Sequence, residues 1–177
     1  MNSNKKTDDD RRVKRTKGLV FDAFFDMVQS TRYDQLKVKD IIARADIGRS
    51  TFYEHFSDKD DLLSQSLEYP MSIFAIALAG GNRQKDLIFM LSHFWERRLF
   101  ARLILKHPTR EVVDGCLRKF ISSKLRALSS MNEQTIQAHA TFLSAGFLGL
   151  LNEWLIGRSS FTVEQMAEYV TACSPEI

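Results

Sequence analysis

Hydrophobic residues recur at steps of three and four along almost the whole chain, which is the period of one helix face. No stretch shows the apolar–polar alternation that is typical of a β-strand. The period predicts a first helix over residues 13–30, a second over residues 37–45 and a short third one over residues 49–56. The chain therefore begins with three helices, of which the last two are short and closely spaced.

The turn between the second and third predicted helices has residues suited to a sharp change of direction. Asp46 is of a type that tolerates a left-handed backbone, Ile47 is an apolar plug, and Gly48 is an acceptable helix N-cap. Phe52 and Phe56 are four residues apart and are predicted to enter the core. These features predict a helix-turn-helix.

The rest of the chain is also predicted to be helical. A fourth helix starts near Asp58, because Ser57 is followed by an acid three residues later, as in a capped helix start. Pro70 should kink or break this helix, and the Gly-Gly-Asn at residues 80–82 should stop it. Further helices are predicted from residue 83 to the break at residues 107–108, over residues 112–128, over residues 136–156 and after a cap at Thr162.

Composition limits the classes of protein that the chain can represent. With 177 residues, 44% of them hydrophobic, and only 8 Gly and 3 Pro, it can form one or two domains with long helices. It has no run of eighteen apolar residues and no apolar leader, so we expect a cytoplasmic protein. Cys116 and Cys173 lie far apart without CxxC spacing and are expected to be reduced thiols.

The net charge of +3 is a weak indicator of nucleic-acid binding, and the placement of the cations is more informative. A basic run without any acid lies at the start of the first helix: Arg11, Arg12, Lys14, Arg15 and Lys17. A solvated, partly disordered arm explains this run equally well. Residues 1–12 are apolar only at Met1 and are expected to be mobile.

Polar side chains are concentrated at the N-terminal end of the third predicted helix. Arg49, Ser50 and Thr51 form its first turn, and Tyr53 and His55 flank them. Such an end offers free backbone N–H groups to phosphates and side chains to base edges. We therefore interpret it as a helix that lies in the major groove of DNA. Local packing or capping is the alternative for Tyr53 and His55.

The chain resembles the TetR family of transcriptional regulators over roughly residues 16–63. The most specific part is the Tyr-x-His-Phe-x-x-Lys spacing of residues 53–59, which follows a helix-turn. The matching residues are Lys17, Ala23, Phe25, Tyr33, Val38, Ile41, Ile42, Ala43, Ala45, Ile47, the run from Ser50 to Phe56, Lys59 and Leu62.

Three residues depart from the family pattern. Asp46 stands where the family usually has Gly, Gly48 where Ser is common, and Lys37 where Thr usually caps the second helix. Asp46 and Gly48 preserve the chemistry of the turn. Lys37 forfeits a cap but adds a cation that would face phosphate.

The resemblance implies an all-α fold with an N-terminal three-helix helix-turn-helix DNA-binding domain and a helical ligand-binding and dimerisation domain. On the sequence we place a mobile N-terminal arm at residues 1–12, the DNA-binding domain at 13–69 and the regulatory and dimerisation domain at 70–177. The last two helices would build the dimer, and residues 136–156, apolar on two sides, agree with this. Burial of both sides within one core is the alternative.

The resemblance also implies which residues contact DNA. Arg49, Ser50 and Thr51 would read or approach bases, and Arg49 is best suited to a guanine. The residues expected to hold phosphates are Tyr53, His55 and Lys59, together with Lys37 and Lys39 of the second helix. Arg15 and Lys17 match no motif position, and we add them for their charge, as contacts to phosphate or the minor groove.

The family usually has a small-molecule cavity in the helical body, and a small hydrophobic effector is therefore expected. The aromatic residues considered for its wall are Phe74, Phe89, Phe94, Trp95, Phe100, Phe120, Phe142 and Trp154. Aromatic residues at helical spacing also occur in an ordinary core. His93, His107 and His139 show no ligand spacing, so neither a metal nor another cofactor is expected.

The sequence therefore predicts a DNA-binding transcriptional regulator, a ligand-responsive dimeric repressor that binds a near-palindromic operator. A protein-binding coactivator or adaptor with the same fold is the alternative. An enzyme is not expected, because the sequence has no nucleophile–base pair, metal-ligand spacing or Gly-rich phosphate loop.

Overall fold

A computed structural model of the chain describes the backbone of residues 3–175 and the side chains of residues 10–175. Every regular element in this range is an α-helix, as the hydrophobic period predicts. The ten helices are α1 (Ser3–Ser30), α2 (Val38–Ala45), α3 (Arg49–Tyr53), α4 (Lys59–Ser66), α5 (Glu68–Leu78), α6 (Gln84–Glu96), α7 (Arg98–Ile104), α8 (Thr109–Leu128), α9 (Glu133–Leu155) and α10 (Val163–Ala172).

Helix α1 begins earlier than the sequence predicts. Residues 3–12 belong to this helix, whereas the sequence indicates a mobile arm over residues 1–12, of which Met1 and Asn2 lie outside the described residues. Lys and Arg are good helix formers, so a polar segment can continue a helix that packs further along. A segment without apolar residues is expected to be mobile only where no packed helix continues into it.

The chain divides into one unit that ends at Ser66 and a second that begins at Leu67. In the first unit, α1 packs on α2 and α2 packs on α3. Phe24 and Ile41 are fully buried between these helices. An exposed ion pair between Arg44 and Asp26, 3.0 Å apart, also joins α2 to α1.

Two helix breaks interrupt the chain, one at Leu67 between α4 and α5 and the other at Arg97 between α6 and α7. The first agrees with the predicted effect of Pro70, which lies in the first turn of α5. A proline there has no N–H to donate to the carbonyl four residues earlier and is tolerated only at a helix start. The break at Arg97 has no marker in the sequence, because arginine is a good helix former.

The second unit is built around α5, α8 and α9. Phe74 is fully buried in it, with ring centroids 5.2 Å from Phe94 and 4.8 Å from Phe147. The buried hydroxyl of Ser144 donates to an Asp114 carboxylate oxygen at 2.6 Å and thereby joins α9 to α8. No helix within the described residues is long and apolar enough to cross a membrane.

Helix ends in this unit follow the sequence signals. α5 ends before Gly81, where an added Cβ would lie 2.6 Å from Ile76 Cγ2, so the tight stop requires glycine. α9 ends before Gly157, whose φ of 80° is left-handed. Thr162 and Gln165 form the predicted cap of α10 as a reciprocal capping box.

Candidate nucleic-acid interface

The turn between α2 and α3 has the predicted geometry. Asp46 is left-handed, with φ 53° and ψ 50°, and its N–H points back to the carbonyl oxygens of Ile42 and Ala43. Gly48 is the N-cap of α3 in an extended conformation, and its carbonyl accepts from Phe52 N at 3.1 Å. The turn therefore ends α2 and starts α3 within three residues.

Two aromatic side chains hold α3 in place. Phe52 is 0% exposed and Phe56 is 1% exposed, with ring centroids 5.4 Å apart. Phe21 of α1 contacts Phe56 at a centroid distance of 5.7 Å. The prediction that Phe52 and Phe56 enter the core is confirmed, and α3 is thereby fixed on one side only.

The other side of α3 is open. Arg49 and Ser50 are exposed, Tyr53 is 48% exposed, and Thr51 is half-buried. The Arg49 guanidinium lies 5.6 Å from the centre of the Tyr53 ring. Helix α3 covers Arg49–Tyr53 and is thus shorter than the predicted 49–56, because the chain turns at residues 54–55. His55 lies in this turn and is half-buried.

Three further cations lie exposed on the two helices that precede α3. Arg15 belongs to α1, Lys37 is the N-cap residue of α2, and Lys39 is in the first turn of α2. As expected, Lys37 makes no side-chain cap bond. Among the side chains of residues 10–175, none forms an ion pair with any of these three. Their charges are available to an external anion.

Lys59, expected to hold phosphate, has partners within the chain. Its Nζ donates to the carbonyl oxygens of Tyr33 at 2.8 Å and Leu36 at 3.3 Å, and lies 4.7 Å from the Tyr33 ring centre. The Tyr33 hydroxyl donates to the Lys59 carbonyl at 3.0 Å and to Asp60 Oδ1 at 2.6 Å. Burial, and then the bond to the Asp60 carboxylate, raises the pKa of Tyr33 far above its usual value. The phosphate contact of Lys59 stays a prediction.

Lys17 also has partners within the first unit. Its Nζ donates to Gln65 Oε1 at 2.8 Å and lies 5.7 Å from the Phe56 ring centre. Gln65 in turn donates to the His55 carbonyl at 2.9 Å and to Asp61 at 3.2 Å. This chain of bonds joins α1, the end of α3 and α4. Gln65 was not singled out in the sequence, because no motif marks a bridging amide.

The cap of α4 differs by one residue from the prediction. Asp58, not Ser57, accepts the first-turn N–H groups of Asp60 at 2.9 Å and Asp61 at 2.8 Å. Asp61 reaches back and accepts from the backbone N–H of Ser57 at 2.9 Å. Burial opposes the ionisation of Asp61, but the bonds from Ser57 and Gln65 outweigh it and lower its pKa.

The aromatic residues considered for an effector cavity divide between the core and the surface, and their contact with an effector stays a prediction. Phe74, Phe94 and Trp154 are buried in the core, and Trp154 donates to the Phe161 carbonyl at 2.8 Å. Trp95 lies partly exposed against Trp154, with ring centroids 4.8 Å apart. The remaining four are exposed or half-buried: Phe89 (65% exposed), Phe142 (77% exposed), Phe100 and Phe120. Helical spacing cannot distinguish the inner from the outer side of a helix that is apolar on both.

An open groove of about 550 Å³ lies elsewhere in the second unit. It runs between the N-terminal half of α9 and the segment after α10, and Phe142 is its only residue from the predicted wall. The other lining residues are Gln134, Thr135, Ala138, His139, Leu143, Cys173 and Pro175.

Residues 31–65 match the family model for bacterial regulatory proteins of the tetR family. The dhaKLM operon transcriptional activator DhaS of Lactococcus lactis subsp. lactis (strain IL1403) is 32% identical over 93 residues, which are 50% of this chain and 48% of that protein. The HTH-type regulator YxbF of Bacillus subtilis (strain 168) is 35% identical over 60 residues, 33% of this chain and 16% of YxbF. The chain thus matches half or less of the length of these relatives.

Solved structures extend the likeness to nearly the whole chain. A TetR transcriptional regulator from Streptococcus agalactiae 2603V has a TM-score of 0.55 and 26% identity, and the match covers 96% of this chain and 99% of that one. The dihydroxyacetone kinase operon activator DhaS has a TM-score of 0.53 and 22% identity, covering 89% and 92%, and shows the shared fold. The chain is thus similar to the tetR family of bacterial regulatory proteins in the motif of residues 31–65, and it shares the fold of a TetR transcriptional regulator over nearly its whole length.

Proposed function

We propose that the chain is a sequence-specific DNA-binding transcriptional regulator whose α3 lies in the major groove. The observation that carries the proposal is the division of α3 into two sides. Phe52 is 0% exposed on one side, whereas Arg49, Ser50 and Tyr53 are exposed on the other. A short helix held by a single buried side can present the opposite side to base edges without unfolding.

Affinity and specificity would come from different residues. Arg15, Lys37 and Lys39 would neutralise phosphates, which supplies most of the affinity and makes it salt-dependent. Arg49, with Ser50 and Thr51, would discriminate between bases. In this proposal residues 13–69 act as the DNA-binding domain and residues 70–177 as the regulatory and dimerisation domain.

The protein would act as a homodimer through α9 and α10. On α9, Phe142 is 77% exposed and lies beside exposed small residues, Ala145 and Gly146. On α10, Tyr169 is 48% exposed. A second copy of the same helix pair would cover Phe142, and the small residues beside it would let the two helices approach closely. Two copies of α3 would then read a near-palindromic operator.

The direction of regulation and its signal are separate parts of the proposal. The repressor and the small hydrophobic effector rest on the family resemblance. DhaS, by contrast, carries the name of an operon activator. A reporter gene placed behind the selected operator separates the two directions, since a repressor lowers its expression and an activator raises it. In either case the protein would act in the cytoplasm, where bacterial DNA lies.

Selection of binding sites from random double-stranded DNA tests the proposal. The full chain should enrich a near-palindrome with half-sites about one helical turn, or a multiple of it, apart. Enrichment of a single half-site would contradict the dimer but keep the DNA-binding role. If no sequence is enriched and binding to all duplexes is weak, the protein-binding adaptor replaces the regulator as the better account.

A further inference from the structure

The segment from α7 to the start of α8 has an unusual charge. Residues 97–110 contain five basic side chains and no acid: Arg97, Arg98, Arg102, Lys106 and Arg110. The net charge of the whole chain is +3, so this short segment carries more positive charge than the protein as a whole. None of the DNA-contact residues considered above belongs to it.

These cations differ from the other arginines of the second unit in their partners. Outside the segment, every arginine of this unit pairs with a carboxylate: Arg83 with Asp86, Arg118 with Asp114, Arg126 with Glu133 and Arg158 with Glu153. Among the side chains of residues 10–175, no carboxylate pairs with the five cations of the segment. Arg97, Arg98 and Lys106 are exposed and Arg102 and Arg110 are half-buried, and no ion pair among the described side chains neutralises them.

Two leucines are exposed among these cations. Leu99 is 75% exposed and Leu103 is 40% exposed, and their spacing of four puts them on one side of α7. Ala101 and Ile104, which face the core, are 2% and 1% exposed. Arg102 lies next to Leu103 on α7, and the exposed Lys106 follows just after the helix.

The segment is held firmly in this arrangement. Thr109 is 2% exposed, and its hydroxyl contacts the carbonyl oxygens of Leu103 at 3.1 Å and Lys106 at 2.7 Å. At the other end, the Arg98 guanidinium lies 5.5 Å from the Trp95 ring centre. The bonds of Thr109 hold the backbone at the C-terminal end of α7, which reduces the conformational freedom that this end loses when it binds.

We propose that Leu99, Arg102, Leu103 and Lys106, here called the α7 surface, dock an acidic segment of a partner protein that also carries apolar side chains. Carboxylates of the partner would neutralise the unpaired cations, and its apolar side chains would cover Leu99 and Leu103. DNA phosphates would satisfy the cations but leave both leucines in water. A bilayer is a poor match, because α7 has seven residues and buries its inner side in the protein.

Fluorescence anisotropy with the full chain and a labelled peptide of glutamates and leucines tests this proposal. The leucines of the peptide stand at steps of three and four, and a second peptide has serine in their place. The first peptide should bind and lose affinity as salt is raised, and the serine peptide should bind at least about tenfold more weakly. Absence of binding by the first peptide, or equal binding of the two, would overturn the proposal.

Matched variants locate the binding site. Leu99→Ser and Lys106→Glu should each weaken binding of the leucine peptide by about tenfold or more. The controls are Leu128→Ser and Lys119→Glu on α8, where Leu128 is 52% exposed and Lys119 is exposed. Each control should change the affinity for the leucine peptide by less than about twofold. Equal effects in both sets would place the site elsewhere. Circular dichroism verifies that all four variants fold.

Two other occupants have their own readouts with the same variants. The same variants are tested with a random DNA duplex and with vesicles that contain phosphatidylglycerol. If one of these binds more tightly than the peptide and loses binding in Leu99→Ser, nucleic acid or membrane replaces the proposed protein partner. A smaller particle mass of Leu99→Ser in sedimentation equilibrium would replace it by a second copy of the chain. Loss of peptide binding with unchanged operator binding and unchanged mass supports the proposal and separates it from the DNA-binding role.

Discussion

Tyr33 and Lys59 bind each other twice across 26 residues of sequence. The Tyr33 hydroxyl donates to the Lys59 carbonyl at 3.0 Å, and the Lys59 ammonium donates to the Tyr33 carbonyl at 2.8 Å. The pair joins the connector before α2 to the start of α4, so it links the two segments that flank the helix-turn-helix. A lysine that the sequence assigns to phosphate thus also has a structural task.

We expect Tyr33→Phe to lower the stability of the protein. The change keeps the ring against the Lys59 ammonium but removes the hydroxyl bonds to the Lys59 carbonyl and Asp60. The free energy of unfolding, measured in urea, should fall by about 1 kcal/mol. An unchanged free energy of unfolding would show that water replaces both bonds at no cost.

Lys37→Ala and Lys39→Ala should weaken DNA binding without affecting stability. Both side chains are exposed, and each is expected to contact one phosphate. In a salt titration each change should reduce the slope of log K against log salt by about one. Urea unfolding should be unaltered, because neither ammonium has an ion-pair partner among the side chains of residues 10–175.

Lys59→Ala is the informative comparison for these two variants. It removes two bonds to backbone carbonyls as well as a charge, and should therefore reduce stability and weaken binding to all DNA sequences. If Lys59→Ala lowers the salt slope by about one and leaves urea unfolding unchanged, the ammonium contacts phosphate and its internal bonds do not contribute to the free energy of unfolding.

Acid should weaken the first unit through Asp61. The hydrogen bonds from Ser57 and Gln65 hold its pKa below the ordinary value, so the unfolded chain binds its proton more readily than the folded one. The contribution is present above the ordinary aspartate pKa and is lost as the pH falls through the lowered one. Asp61→Asn should therefore be less stable at pH 7 and lose less stability on acidification. An equal loss of unfolding free energy from pH 7 to pH 3 in both proteins would contradict this role.

Phe142→Glu should convert the proposed dimer into a monomer. A carboxylate in the centre of the α9 surface would be buried without a partner on association. Phe89→Glu is the matched control, since Phe89 is 65% exposed on α6, outside the proposed dimer surface. Sedimentation equilibrium should give a monomer for Phe142→Glu and a dimer for Phe89→Glu. A dimer for both variants would move the interface away from Phe142.

The sequence predicted features that depend on local chemistry. The left-handed Asp46, the burial of Phe52 and the N-cap at Thr162 each follow from one residue type at one position. Such features were read correctly because their physics involves only neighbouring residues.

Features set by tertiary packing were not predictable in the same way. The break at Arg97 has no local signal, and the aromatic residues Phe74 and Phe142 have the same spacing signal but opposite exposure. The internal partners of Lys17 and Lys59 were likewise hidden, because the residues that bind them are 48 and 26 positions away. Long-range contacts decide whether a cation is available to DNA, and a motif position alone does not.

The central claim, that α3 reads bases through Arg49, is tested most directly by Arg49→Ala on a selected operator. Binding of wild type and variant is compared on this operator and on versions with single base changes in each half-site. We expect the variant to lose about 1–3 kcal/mol of discrimination at one position, with other positions and the salt slope little changed. Equal discrimination by both proteins at every position would contradict the assignment of α3 as the reading helix.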